Sequence, residues 1–129
     1  MKTANDLVIA AKANIEEVAL DLAENYLRTV DVLIDVREAD EYLAGHLPGA
    51  VLIPRGMLEF KLSTTEELMS RELHLAVYCK TGGRAALAAQ TLQQMGYLNV
   101  KSLAGGFDAW VHAGRAVQDC SNLSPTAEN

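Results

Sequence analysis

Residues 75–88 read Leu75-Ala76-Val77-Tyr78-Cys79-Lys80-Thr81-Gly82-Gly83-Arg84-Ala85-Ala86-Leu87-Ala88, and the stretch changes its period halfway. Leu75 to Tyr78 is a short apolar run of the kind that forms a buried strand. From Arg84 the pattern becomes helical, with Ala85, Ala88, Leu92 and Met95 on one stripe and Gly96 closing the segment. Between the two lie a cysteine, two glycines and two cations. A strand that turns through glycine into a helix is the opening of a βαβ unit, and it implies a parallel sheet.

The flanking sequence repeats this alternation. Val32-Leu33-Ile34 is a second short buried strand, and Arg37 to Ala44 reads as a helix ending at Gly45. His46-Leu47-Pro48-Gly49 is a turn, and Ala50 to Ile53 is a strand stopped by Pro54. Ser63-Thr64-Thr65-Glu66 carries a capping-box pattern, which predicts a helix opening there and running to Ser70. Asn99 to Leu103 is a strand, Gly105-Gly106 a turn, and Phe107 to His112 a last helix. Upstream, Leu7, Ala11, Ile15 and Val18 recur near helical spacing, with Asn5 or Asp6 available as a cap. A clearer stripe comes next at Val18, Ala19, Leu22, Ala23, Tyr26 and Leu27, opposite Glu16, Glu17, Asp21 and Glu24. Residues 15–18 also fit a short extended link. Residues 118–129 read as a loose polar tail.

The chain has 129 residues, half of them apolar and 22% charged, as expected for one globular domain with a single core. Its formal net charge is -6, with no basic run, which argues against nucleic acid as a partner. Leu7 to Ala11 is too short an apolar core for a signal peptide, and no segment is long enough to span a membrane. The two cysteines, Cys79 and Cys120, form no stapling framework and lack the spacing of a zinc site. These features suggest a reducing, cytoplasmic setting with free thiols.

Cys79 stands where ligands bind in open α/β sheets, beyond the carboxyl end of a strand and before a helix N-terminus. Gly82 and Gly83 permit a tight turn and leave backbone N–H groups unobstructed, a nest for an anion. Lys80 and Arg84 bring positive charge to the same place, and Arg84 offers a planar fork for oxyanions. Such a setting favours the thiolate form of a cysteine. A cysteine ending a strand is by itself more often a small core residue, but the glycines and Arg84 favour a nucleophile. Cys120, in the polar tail, reads as an incidental thiol. His46 suits a turn-stabilising hydrogen bond better than general-base work, and neither His74 nor His112 makes a recognisable dyad with Cys79.

Three segments together resemble the single-domain rhodanese-like sulfurtransferases. IDVREADEYLAGHLPGA, Ile34 to Ala50, is similar to the family's N-terminal signature. Cys79 to Arg84 is similar to its six-residue active-site loop, and Leu103-Ala104-Gly105-Gly106-Phe107-Asp108-Ala109-Trp110 to its C-terminal signature. The resemblance implies a mainly parallel five-stranded sheet flanked by helices on both faces. It also implies a division into an N-terminal helical segment (1–31), a rhodanese-like core (32–117) and the tail. For the chemistry it implies that Cys79 takes a sulfur from thiosulfate or a similar donor as a persulfide and passes it to a thiol, cyanide or protein acceptor. Lys80, Thr81, Gly82, Gly83 and Arg84 would bind the substrate, with Lys80 and Arg84 recruiting the dianion, and no cofactor or metal is required. Asp35 and Arg37 are expected to pair with each other or nearby backbone, and Trp110 to pack in the core. Ala85 departs from the Ser or Thr that many members carry there.

Two other functions remain open on the residues. A cysteine phosphatase or arsenate reductase also sets cysteine and arginine around an oxyanion, but its loop is Cys-x5-Arg, whereas Cys79 and Arg84 are spaced Cys-x4-Arg. A sulfur-relay or protein-interaction module with little turnover is the second alternative.

Overall fold

The computed structural model describes residues 1–119. Its strands are β1 Glu16–Val18, β2 Val32–Asp35, β3 Val51–Leu52, β4 His74–Tyr78 and β5 Asn99–Leu103. Its helices are α1 Ala4–Lys12, α2 Leu20–Leu27, α3 Ala39–Ala44, α4 Leu58–Thr64, α5 Gly83–Gln94 and α6 Gly106–His112. The sheet order is β1-β5-β4-β2-β3, and every neighbouring pair is parallel. The expectation of a mainly parallel five-stranded sheet is therefore met with all five strands parallel.

Both faces of the sheet are covered, so its central strand has no polar side. Along β4, Leu75 and Val77 enter one core with Ile34, Leu58, Leu62 and Leu92. Ala76 and Tyr78 enter the other, with Leu33, Leu103 and Trp110. The pleat explains the split, since successive side chains point to opposite faces. Trp110 is 5% exposed, as expected of a core residue, and its indole N–H donates to the Ala116 carbonyl at 2.7 Å.

Two elements differ from the sequence reading. Residues 16–18 form an edge strand beside β5, so the extended alternative holds there, and the helical stripe read from Val18 begins only at Leu20. Only Val18 of the three is buried, so the strand has too few residues to show an alternating pattern. The Ser63–Glu66 pattern does not open a helix. Instead α4 ends at Thr64, and only a 3₁₀ turn at Glu66–Leu68 comes after it. Leu58 and Leu62, four apart and both fully buried, draw the helix one turn and more toward the N-terminus. Thr64 Oγ1 donates back to the Phe60 carbonyl at 2.9 Å instead of capping the next turn.

A buried polar cluster joins β2, β4 and the turn after α3. Asp35, fully buried, accepts from Arg37 Nε at 3.0 Å and Nη2 at 2.8 Å, and from the Tyr78 hydroxyl at 2.7 Å. Arg37 Nη2 also donates to the Gly45 carbonyl at 2.6 Å, and Tyr78 Oη accepts from Leu47 N at 3.0 Å. Burial chiefly, then the bond to Asp35, pushes the Tyr78 phenol far above its ordinary value, so it stays a donor. His46 closes the turn as expected, its Nδ1 donating to the Tyr42 carbonyl at 2.8 Å. Its backbone pairs in both directions with Gln118, the first residue of the segment read as a tail. Cys120 and residues 121–129 lie outside the described residues.

Removing one partner from a buried ion pair leaves the other uncompensated. Asp35→Ala is therefore expected to cost roughly 3–5 kcal/mol, read from urea unfolding. Wild-type stability in that variant would show that Arg37 does not need its carboxylate.

Candidate active site

The loop after β4 is held from one side by α6. Phe107 N donates to the Cys79 carbonyl at 2.8 Å, and Asp108 N to the Lys80 carbonyl at 3.0 Å. These contacts require Gly106. Its φ is +58°, and a Cβ there would stand 2.4 Å from the Cys79 carbonyl oxygen and 2.8 Å from that of Lys80. With both carbonyls committed to α6, the Lys80 and Thr81 amides face the opposite way, since N–H and C=O oppose each other across a trans peptide.

The chain then reverses at Gly82, which takes φ +120° and serves as the N-cap of α5. That turn brings the first amides of α5 back over Cys79. Sγ accepts from Gly82 N at 3.1 Å and from Ala85 N at 3.3 Å. Helix N-termini leave such N–H groups without an intrahelical partner, so the sulfur satisfies donors that would otherwise be orphaned. The thiol is 1% exposed, and the Ala85 contribution is purely backbone, so its methyl side chain does not weaken the cradle. Lys80 and Thr81 are exposed at the loop surface.

The cations are not free around this cradle. Arg84 forms a two-pronged pair with Glu41, Nη1 to Oε1 at 2.7 Å and Nη2 to Oε2 at 3.0 Å. Glu41 Oε1 also accepts from Glu38 N at 2.9 Å, which anchors it to the start of α3. Hydrogen bonds from Arg84 pull the Glu41 carboxyl down to about 2. Its folded value lies below the ordinary 4.5, so its stabilising contribution is complete above that pH and is lost only as pH falls toward 2. Lys80 Nζ lies 2.8 Å from Asp108 Oδ2 in a well-exposed pair. The third nearby cation comes from α1, which packs along α5. Lys12 Nζ stands 3.6 Å from where a Cβ on Gly82 would be and 3.9 Å from Glu17 Oε2.

The structure thus brings Cys79, Gly82 and Arg84 of the sequence-predicted site together, while Gly83 begins α5 under Val8 of α1. Sequence reasoning gives no site role to Glu41, Asp108, Gly106, Phe107 or Lys12. The Gly105-Gly106 pair is the one local signal, since two adjacent glycines before a helix mark a close backbone approach. Among the described residues, no cluster of three or more His, Cys, Asp or Glu is arranged to hold a metal, and no helix is long and apolar enough to cross a membrane.

A parallel α/β sheet with a cysteine at the carboxyl end of its central strand, cradled by the next helix N-terminus, defines a class of thiol-bearing α/β domains. The sequence matches the rhodanese-like domain family over residues 17–113, and the chain belongs to that family. It is 31% identical over 94 residues to a sulfurtransferase of Allochromatium vinosum, covering 72% of this chain and 84% of that one. The mitochondrial protein HIGH ARSENIC CONTENT 1 of Arabidopsis thaliana is 32% identical over 111 residues, 80% of this chain, which spans 66% of that relative's length. The solution structure of the polysulfide-sulfur transferase homodimer of Wolinella succinogenes superposes with a TM-score of 0.73 at 34% identity, covering 90% of this chain and 87% of that one.

Gly106→Ala is expected to destabilise the fold by more than Gly49→Ala. Gly49 also has positive φ, +83°, but open space around it. The conformational penalty of roughly 1–3 kcal/mol is common to both, and only Gly106→Ala adds the clash with the loop carbonyls. Equal urea midpoints for the two variants would show that α6 does not fix the loop.

Proposed function

We propose that the chain is a sulfurtransferase that moves a sulfane sulfur from a small anionic donor such as thiosulfate to a thiophilic acceptor through a persulfide on Cys79. The observation that carries this reading is the pair of amides, Gly82 and Ala85, on Sγ at the N-terminus of α5. The thiolate attacks the outer sulfur of the donor. An Sγ–S bond forms, the S–S bond of the donor breaks, and with thiosulfate the electron pair leaves on sulfite. The outer sulfur then carries the negative charge, and the amides from Lys80 to Arg84 are the groups that stabilise it. Attack by a thiol, cyanide or a protein thiolate on that sulfur returns Cys79 to its starting state. This is covalent catalysis of the ping-pong type.

The sulfur-transferring relatives support this reading. So does the Cys-x4-Arg spacing, one residue shorter than the loop that encloses a tetrahedral phosphate. A reducing, cytoplasmic setting keeps the buried free thiol available for the cycle.

Intact-mass measurement after incubation with a sulfane donor tests the proposal. Wild type is expected to gain one reducible sulfur atom, and Cys79→Ala none. A folded wild type that gains no sulfur from thiosulfate or from a persulfide donor would overturn it.

A further inference from the structure

Cys79 occupies one end of the sheet. The other end carries a group of charged and polar side chains on a face that is otherwise core. On that face Val18 of β1, Leu103 of β5, and Ala76 and Tyr78 of β4 are buried against α2 and α6. The pleat puts Glu16, Lys101 and His74, each two residues before Val18, Leu103 and Ala76, on the same side, with Asn99 one step further down β5. A parallel sheet covered on both sides carries apolar residues at such positions. Here they line a cavity of about 290 Å³, whose other wall is Tyr26 and Thr29 at the end of α2.

The charges in this cavity are split. Glu16 and Lys101 are register partners on adjacent parallel strands, which lie about 4.8 Å apart. Opposite charges so placed attract and are expected to close on each other. Instead the Lys101 ammonium stands 5.4 Å from the centroid of the Tyr26 ring, held by the negative face of the ring. Among the described residues, neither Lys101 nor Glu16 has an ion-pair partner. The rest of the lining adds to each pole. Asn99 Nδ2 makes one long bond, to the Glu72 carbonyl at 3.4 Å, and keeps a second N–H. Thr29 and Tyr26 give their hydroxyl protons to the Tyr26 and Leu75 carbonyls, at 2.7 and 3.3 Å, and keep their oxygen lone pairs for a donor. Burial chiefly, then the charge of Glu16, pushes the Tyr26 phenol up to about 12, so it remains a neutral hydroxyl. Both hydroxyls lie at the C-terminal end of α2, whose dipole favours a cation.

We propose that this cavity binds a free α-amino acid, with its carboxylate on Lys101 and Asn99 and its ammonium on Glu16 and the two hydroxyls. A plain anion has to sit beside Glu16, and a plain cation beside Lys101, whereas a dipolar ligand answers both. The volume stands at the lower edge of small-molecule sites, roughly 300 Å³, which admits an amino acid and excludes a larger metabolite. The length of β4 separates the cavity from the Cys79 loop, so this is a site distinct from the thiol.

Proton–nitrogen correlation NMR of the full chain tests the assignment, with a panel of free amino acids each titrated to about 10 mM, well above a Kd of about 1 mM. At least one is expected to displace the His74, Asn99 and Lys101 amide resonances with a Kd of about 1 mM or tighter. The N-acetyl derivative of the best binder lacks the positive pole, and its carboxamide derivative lacks the negative one. Each is expected to bind at least about tenfold more weakly than the parent. Glu16→Gln is expected to weaken the amino acid about tenfold and to leave its N-acetyl derivative unaffected. Lys101→Met is expected to weaken it equally and to leave the carboxamide unaffected, with urea midpoints checking that both variants stay folded. An unmoved wild-type spectrum with every amino acid, derivatives that bind as well as the parent, or folded variants that bind it unchanged would each overturn the assignment. None of these results bears on the persulfide at Cys79.

Discussion

The contact between Gly106 and the first two peptides of the Cys79 loop governs the orientation of everything in the site. Two hydrogen bonds from the start of α6 take the Cys79 and Lys80 carbonyls, and the near-absence of a side chain at Gly106 is what lets them form. A loop whose carbonyls face one way presents its amides the other way. Gly82 then reverses the chain so that α5 starts with two N–H groups on the sulfur. The sheet order makes this arrangement available. β4 lies between β5 and β2, so the helices that come after those strands, α6 and α3, flank the loop on either side. That is the usual place for a ligand in a parallel α/β sheet, here used to hold a side chain's sulfur.

Electrostatics around the loop follow a consistent pattern of compensation. Asp35, Arg37 and Tyr78 are buried together beneath the site, and their bonds to Gly45 and Leu47 secure the turn that ends α3. This fixes α3, and with it Glu41, at the right distance to take Arg84. A buried charge cluster is an uncertain source of net stability, but an interrupted one is costly, so the cluster acts as a register pin between β2 and β4. The exposed Lys80–Asp108 pair contributes little to stability. Its effect is on the charge an incoming substrate meets. The result is a site whose positive character comes from peptide dipoles rather than from side chains.

The local parts of this design are legible in the sequence. Residues 99–103 read as a strand with the same limits the structure gives, and α5 begins and ends within one residue of its reading. The cysteine, the reversal at glycine and the helix start lie within seven residues, so their chemistry survives in the linear pattern. Pairing across the fold does not. Arg84 and Glu41 are 43 residues apart, and Lys80 and Asp108 are 28 apart. In the sequence both cations therefore look available to an anion. β1 shows in the sequence only as an extended alternative to a helix start, because three residues with one buried side chain carry no periodicity. For α4, the polar capping pattern at Ser63 outweighs the two buried leucines before it in the linear reading, and burial decides the outcome in the folded chain.

The central claim is that two particular amides hold the sulfur on which the chemistry occurs. Proton–nitrogen correlation NMR of the folded protein, recorded before and after one equivalent of a sulfane donor, tests it most directly. Conversion of Cys79 to its persulfide should displace the Gly82 and Ala85 amide resonances strongly and together, with those of Phe107 and Asp108 moving much less because they bind the far side of the loop. Sulfur gained by Cys79 with the Gly82 and Ala85 resonances unmoved would contradict the account.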